Sequence, residues 1–233
     1  MGNLDSNKTE SPAANPYQAP ASPIDIPSDL APIHGASQYG PYRDPSTIGK
    51  LVIMALIVEM TASTANSWLL YNFFLQHIGG ISADTYDAIY NISIVTWIVC
   101  GILFLFWTAK IVRNAWAVRP HPYHMNISPR WAAGFFFVPI AAYWYPYKAI
   151  MQARRECGIP GSPIYLWWWI LWLVVEIPTF LAMSEIEINL LTYASEVLYL
   201  VDAVLAILVV QRITTHQSRM ATEGVPHQDL PKL

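Results

Sequence analysis

Four apolar stretches, residues 48–74, 88–111, 164–183 and 190–213, constrain this chain more than anything else in it. A helix needs about 20 consecutive apolar residues to cross the hydrocarbon of a bilayer, and each stretch reaches that length. Inside lipid, every backbone N–H and C=O must be satisfied within the protein, so runs of this kind predict spanning helices. A fifth apolar stretch, residues 131–147, is shorter and is interrupted by Pro139 and Pro146. The expected fold is an all-α membrane protein: four transmembrane helices, one Pro-interrupted re-entrant or interfacial segment, and a disordered N-terminal arm over residues 1–45 followed by the spans and a tail from 214 to 233.

Composition enters as support. Only 12% of residues are charged against 54% hydrophobic, which is not the balance of a water-soluble domain. The arm is rich in Pro, Ser, Ala and Asn and cannot bury a core of its own. The thirteen Lys and Arg never form a dense basic run, so a nucleic-acid partner is not indicated. No basic start with an apolar core and cleavage site opens the sequence, so the first span itself is expected to direct insertion. Cys100 and Cys157 do not make a disulfide framework and read as buried inert thiols.

Charge then orients the spans, because short cytoplasmic loops carry the excess of Lys and Arg. If residues 131–147 do not cross, all thirteen basic residues fall in the arm and the start of the first span, the central region from Lys110 to Arg155, and the end of the chain from Arg212 onward. None falls in the connections 76–87 and 184–189, which carry Asp84, Asp87, Glu185 and Glu187 instead. Both ends are therefore expected in the cytoplasm, with the central segment entering from that side or lying along the interface. Trp107, Trp116, Trp131 and the run Trp167-Trp168-Trp169 would form an inner aromatic belt, and Trp68 and Tyr71 an outer one.

Within the central region, Trp107, Arg113-Asn114, Ser128-Pro129, Trp131-Ala132-Ala133-Gly134, Phe137-Val138-Pro139-Ile140 and Pro146-Tyr147-Lys148 follow one another in a spaced order. This pattern resembles a bacterial multi-span membrane family known only as domain of unknown function 4328. The resemblance implies a multi-span protein of a bacterial inner membrane and supplies no activity. Where that family often carries an Asn before the second proline, this chain has Ala141-Ala142-Tyr143-Trp144-Tyr145.

Charged groups within spans are costly, about 2.5 to 3.5 kcal/mol each at the bilayer centre, so each is a functional candidate. Four acids qualify: Glu59 in the first span, Glu176 in the third, Glu196 and Asp202 in the fourth. Helical spacing places Glu59, Ser63 and Asn66 on one face, and Thr192, Ser195, Tyr199 and Asp202 on another. Two readings stand side by side. The acids either hold helices together through hydrogen bonds in their neutral form, or serve as a proton or cation path. Arg113, Arg130 and Lys148 are either interfacial anchors or a cluster that holds an anionic lipid headgroup.

His121 and His124 in a loop lack the further ligands and spacing of a zinc site, so no metal is expected. No nucleophile elbow, phosphate-binding loop or dinucleotide turn occurs, so neither an enzyme nor a cofactor is indicated. The function expected is that of a membrane scaffold, sensor, or lipid- or protein-interacting bundle, with a small proton- or cation-conducting component as the alternative. Membrane lipids, a second copy or another membrane protein are the expected partners.

Overall fold

The computed structural model describes residues 39–75, 82–118, 125–181 and 188–223, and these contain helices and no strands. Among them six α-helices follow in order: α1 (Ser46–Leu75), α2 (Ala83–Val118), α3 (Pro129–Gly134), α4 (Tyr145–Glu156), α5 (Ile164–Leu181) and α6 (Ile188–Glu223). Between α3 and α4 run two single turns of 3-10 helix, Phe135–Phe137 and Ala141–Tyr143.

Local chemistry sets the ends. Asp44 accepts hydrogen bonds from the Ser46 backbone N–H at 2.9 Å and hydroxyl at 2.6 Å, fixing the first turn of α1. At α2, Ser82 Oγ accepts the Thr85 N–H and Asp84 lies in the first turn, where the helix dipole favours a negative charge. Ser128 and Pro129 open α3 as N-cap and first helical residue. The end of α4 is a Schellman motif: Gly158 takes φ +67°, its N–H bonds to the Arg155 carbonyl, and the Ile159 N–H bonds to that of Arg154. Arg154 Nη1 also donates to the Ile159 carbonyl at 2.7 Å, holding the turn into α5.

Three helices, residues 46–69 of α1, 84–118 of α2 and 195–223 of α6, are long and apolar enough to cross a membrane, and residues 164–175 of α5 form a shorter apolar helix. At 36 residues each, α2 and α6 measure about 54 Å, well beyond the roughly 30 Å of hydrocarbon, so both must project past it. The sequence boundaries at 111 and 213 therefore mark the end of the apolar run and not of either helix. The expected arm also ends earlier: residues 39–45 pack on the bundle, while residues 1–38 lie outside the described set.

The helices pack in a row, α2 on α1, α1 on α6 and α6 on α5, with α3 and α4 against α2. Helices α1 and α6 run antiparallel, with Gly49 against Thr214 and Thr64 and Ser67 bonded to Glu196. The outer members of the row, α2 and α5, share no packed face among the described residues. Residues 131–147 make no helix long enough to cross, because the chain breaks into turns between Gly134 and Tyr145. Proline explains the break: Pro139 lacks a backbone donor, and Pro146 sits where the first turn of α4 needs none.

Candidate functional site

The gap between α2 and α5 holds a cavity of about 320 Å³. Its walls come from Trp97, Cys100 and Gly101 of α2, Trp168, Trp169 and Trp172 of α5, and Leu56 of α1. From the α1–α6 side, Glu59, Tyr199 and Asp202 complete the lining. Both carboxylic residues are deeply buried, each 7% exposed. The antiparallel register explains their meeting: between the Gly49–Thr214 and Thr64–Glu196 pairs, Glu59 falls at the level of Asp202. One end of the gap is closed by rings, with Phe104 lying 6.0 Å from both Phe136 and Trp168, centroid to centroid. Trp168 and Trp169 thus line a cavity, each 3% exposed, and of the triple Trp only Trp167 faces outward as a belt residue would.

The polar stripes meet differently from the sequence expectation. Glu196 receives the hydrogen bonds from α1, at 3.0 Å from Thr64 Oγ1 and 2.8 Å from Ser67 Oγ. Ser63 and Asn66 are half-buried, and Ser195 is exposed. The side chains of Glu176 and Thr192 lie outside the described residues, as do His121 and His124.

A second polar cluster occupies the far ends of α2 and α6, where sequence reading expects interface and tail. Asn114 and Gln217 are both fully buried. Asn114 Nδ2 donates to the Arg43 carbonyl at 2.8 Å and to Gln217 Oε1 at 3.0 Å, while its Oδ1 accepts the Arg43 N–H at 3.1 Å. Gln217 Nε2 donates in turn to the Ile111 carbonyl and to Cys157 Sγ, each at 3.2 Å. Tyr42 donates to the Gln217 carbonyl at 2.7 Å, and Ser218 to Asp44 Oδ1 at 2.6 Å. Trp107 is fully buried and donates to Thr214 Oγ1 at 3.0 Å, so it is a packing residue and not a belt residue.

The electrostatics follow from this packing. Burial pushes the Cys157 thiol up to about 12, against the lowering effect of the Gln217 hydrogen bond. Burial likewise raises the Tyr42 phenol, with the neighbouring Cys157 and Asp44 adding to it. Asp44 goes the other way: burial raises it, but bonds from Ser218 and Ser46 and the charge of Lys110 bring it below its ordinary 3.8.

Of the other pattern residues, Pro146 is buried, Gly134 closes α3, and Trp131 and Pro139 are exposed. Trp131 starts a run of rings through Phe135, at 5.2 Å, to Tyr145, stacked at 4.4 Å. Arg113 is half-buried on α2, Arg130 is exposed on α3, and the Lys148 ammonium lies 5.8 Å from the centre of the Tyr145 ring.

Sequence reading misses the cluster because it ends the arm at 45 and the last span at 213. One signal finds its α6 half. Ala203, Ala206, Val210, Ile213, Gln217 and Met220 are all buried at steps of three or four, so the inward face continues past Arg212 without a break.

An all-helical protein with membrane-length helices, a lined gap between two of them and a bonded polar cluster at one end is a membrane-type helical bundle. The chain belongs to the family described as Domain of unknown function (DUF4328), whose model matches residues 80–215. That range takes in the Trp107–Lys148 pattern, four helices from α2 to α5, and most of α6. No curated protein and no solved structure matches the chain significantly.

Proposed function

We propose that this chain is a four-span protein of a bacterial inner membrane, both ends cytoplasmic, whose bundle acts as a sensor or interaction platform for molecules dissolved in the membrane. The single observation carrying the reading is the aromatic-walled cavity between α2 and α5, with Glu59 and Asp202 in its lining. A plain scaffold has no use for such a space, and closing it would bury more apolar surface.

The topology rests on two supports. Every Lys and Arg lies outside the connections 76–87 and 184–189. The broken segment between α3 and α4 presents Phe137, Ile140 and Trp144, which are 75%, 88% and 62% exposed, as a surface suited to the interface. Helix α5 is then the third of the four spans, between α2 and α6 in chain order, and lipids are the first partners. No catalytic role is proposed.

A second reading, proton or cation conduction, is favoured by the same two acids at one depth. It needs a path beyond the rings of Phe104, Phe136 and Trp168.

The test is native mass spectrometry of protein released gently from its membrane. Wild type is expected to retain a lipid or small molecule that Gly101→Leu loses. Position 101 lines the cavity, and a Cβ there would meet nothing within 4 Å. A wild-type protein without adducts, or adducts unchanged by the substitution, would overturn the reading.

A further inference from the structure

We infer that the α2–α5 cavity takes a lipophilic organic monocation, an ammonium-type head on an apolar body, with Glu59 and Asp202 as its counter-charges. The inference rests on the proposed reading of that cavity as a ligand site and names its ligand class.

Volume, walls and charge point to the same class. A space of about 320 Å³ suits a small organic molecule and not a whole lipid. Among the described residues the lining contains no Lys or Arg, so an anion would meet two carboxyl groups and no basic side chain of the lining. An inorganic cation would need six or so oxygens in place of its water, and the described lining side chains bring oxygen only from Glu59, Asp202 and Tyr199. A neutral hydrocarbon would fit the walls but would set alkyl groups against the two acids. An organic cation satisfies both parts of the lining. Its apolar body packs on Leu56, Leu105 and Val175, and its charge meets the carboxyls among the aromatic rings of Trp97, Trp168 and Trp172. The acids are supplied by the α1–α6 side and most of the rings by α2 and α5, so a ligand entering between α2 and α5 reaches the charge last.

Cys100 lies in the same wall and reports on occupancy. In bilayer nanodiscs, the full-length protein is treated with N-phenylmaleimide and the rate of Cys100 alkylation is followed by peptide mass spectrometry. Benzyltrimethylammonium and neopentylbenzene are added separately; they share a shape and differ by replacement of the charged nitrogen with carbon. The cation is expected to protect Cys100 at concentrations about tenfold below those of the neutral isostere. The Glu59→Gln/Asp202→Asn protein is expected to lose that preference while its Cys100 still reacts.

Equal protection by the two compounds would overturn the cation assignment and leave the cavity as a ligand site without charge selection. A Cys100 that never reacts in the folded protein would remove the cavity reading as well. Should the double variant fail to fold, the comparison of isosteres on the native acids still decides.

Discussion

The bundle buries polar side chains in two places, and it treats them in opposite ways. At the ends of α2 and α6, Asn114 and Gln217 spend their amide groups on Arg43, Ile111, Cys157 and each other, and a glycine lets the backbones close around them. Between α2 and α5, Glu59 and Asp202 border a cavity walled by rings. The first arrangement fixes a geometry, because Asn114 and Gln217 are fully buried and a broken bond there strands a buried amide group. The second leaves room for a guest. Both regions are polar and buried, so burial alone says little about role. What separates them is whether the surrounding volume is filled.

The strongest way to break the comparison is Asn114→Ala. It strands the Arg43 N–H and carbonyl and Gln217 Oε1 together, and should cost about 3 kcal/mol of stability. Denaturant titration in detergent micelles measures it; a loss under about 1 kcal/mol would mean that water or a neighbour readily replaces Asn114.

Glycine sharpens the contrast further. A Cβ on Gly49 would lie 2.5 Å from Thr214 Cγ2 and Oγ1 and 2.9 Å from Thr214 Cβ, so Gly49→Ala should destabilise by about 1–3 kcal/mol. The same change at Gly101 meets nothing within 4 Å, and Ala is the better helix former, so it should stabilise by about 0.5–1 kcal/mol. Matching signs in the two titrations would erase the distinction between a filled and an open region.

The smallest effect concerns acid. Asp44 is held below its ordinary 3.8, so its contribution to the docked residues 39–45 is complete above that value and fades as pH falls through its lowered folded value. Ser218→Ala removes one of the bonds responsible and should move the onset of this loss to higher pH, read by the unfolding midpoint between pH 5 and 2 as about a few tenths of a unit.

Much of this was legible in residues and spacing. Apolar length located the helices that carry α1, α2, α5 and α6, and the two prolines located the place where the backbone leaves the helix. The family resemblance placed Trp107, Asn114 and Pro146 in one pattern, though not in one structure. The partner of Asn114 could not be read, because Gln217 lies 103 positions away in a stretch that reads as a tail. The cavity was hidden for a related reason. Its rings belong to helices that look uniformly apolar, and only the row order, with α2 and α5 at opposite ends, leaves Trp97 and Trp172 bordering a gap. Charge counting found Glu59 and Asp202 but could not give their common depth, which depends on the antiparallel register of α1 and α6.

The chain carries its own probe of the central claim, since its two cysteines divide between the two regions. Both thiols are buried, but Cys100 borders the cavity, whereas Cys157 Sγ accepts a hydrogen bond from Gln217 Nε2 in a filled region. Wild-type protein in a bilayer is exposed to a lipid-soluble maleimide, and the modified peptides are quantified. Alkylation confined to Cys100 is the predicted result. Reaction at Cys157 before Cys100 would contradict the account, because it would place the open space at the end of the bundle that the hydrogen bonds are said to close.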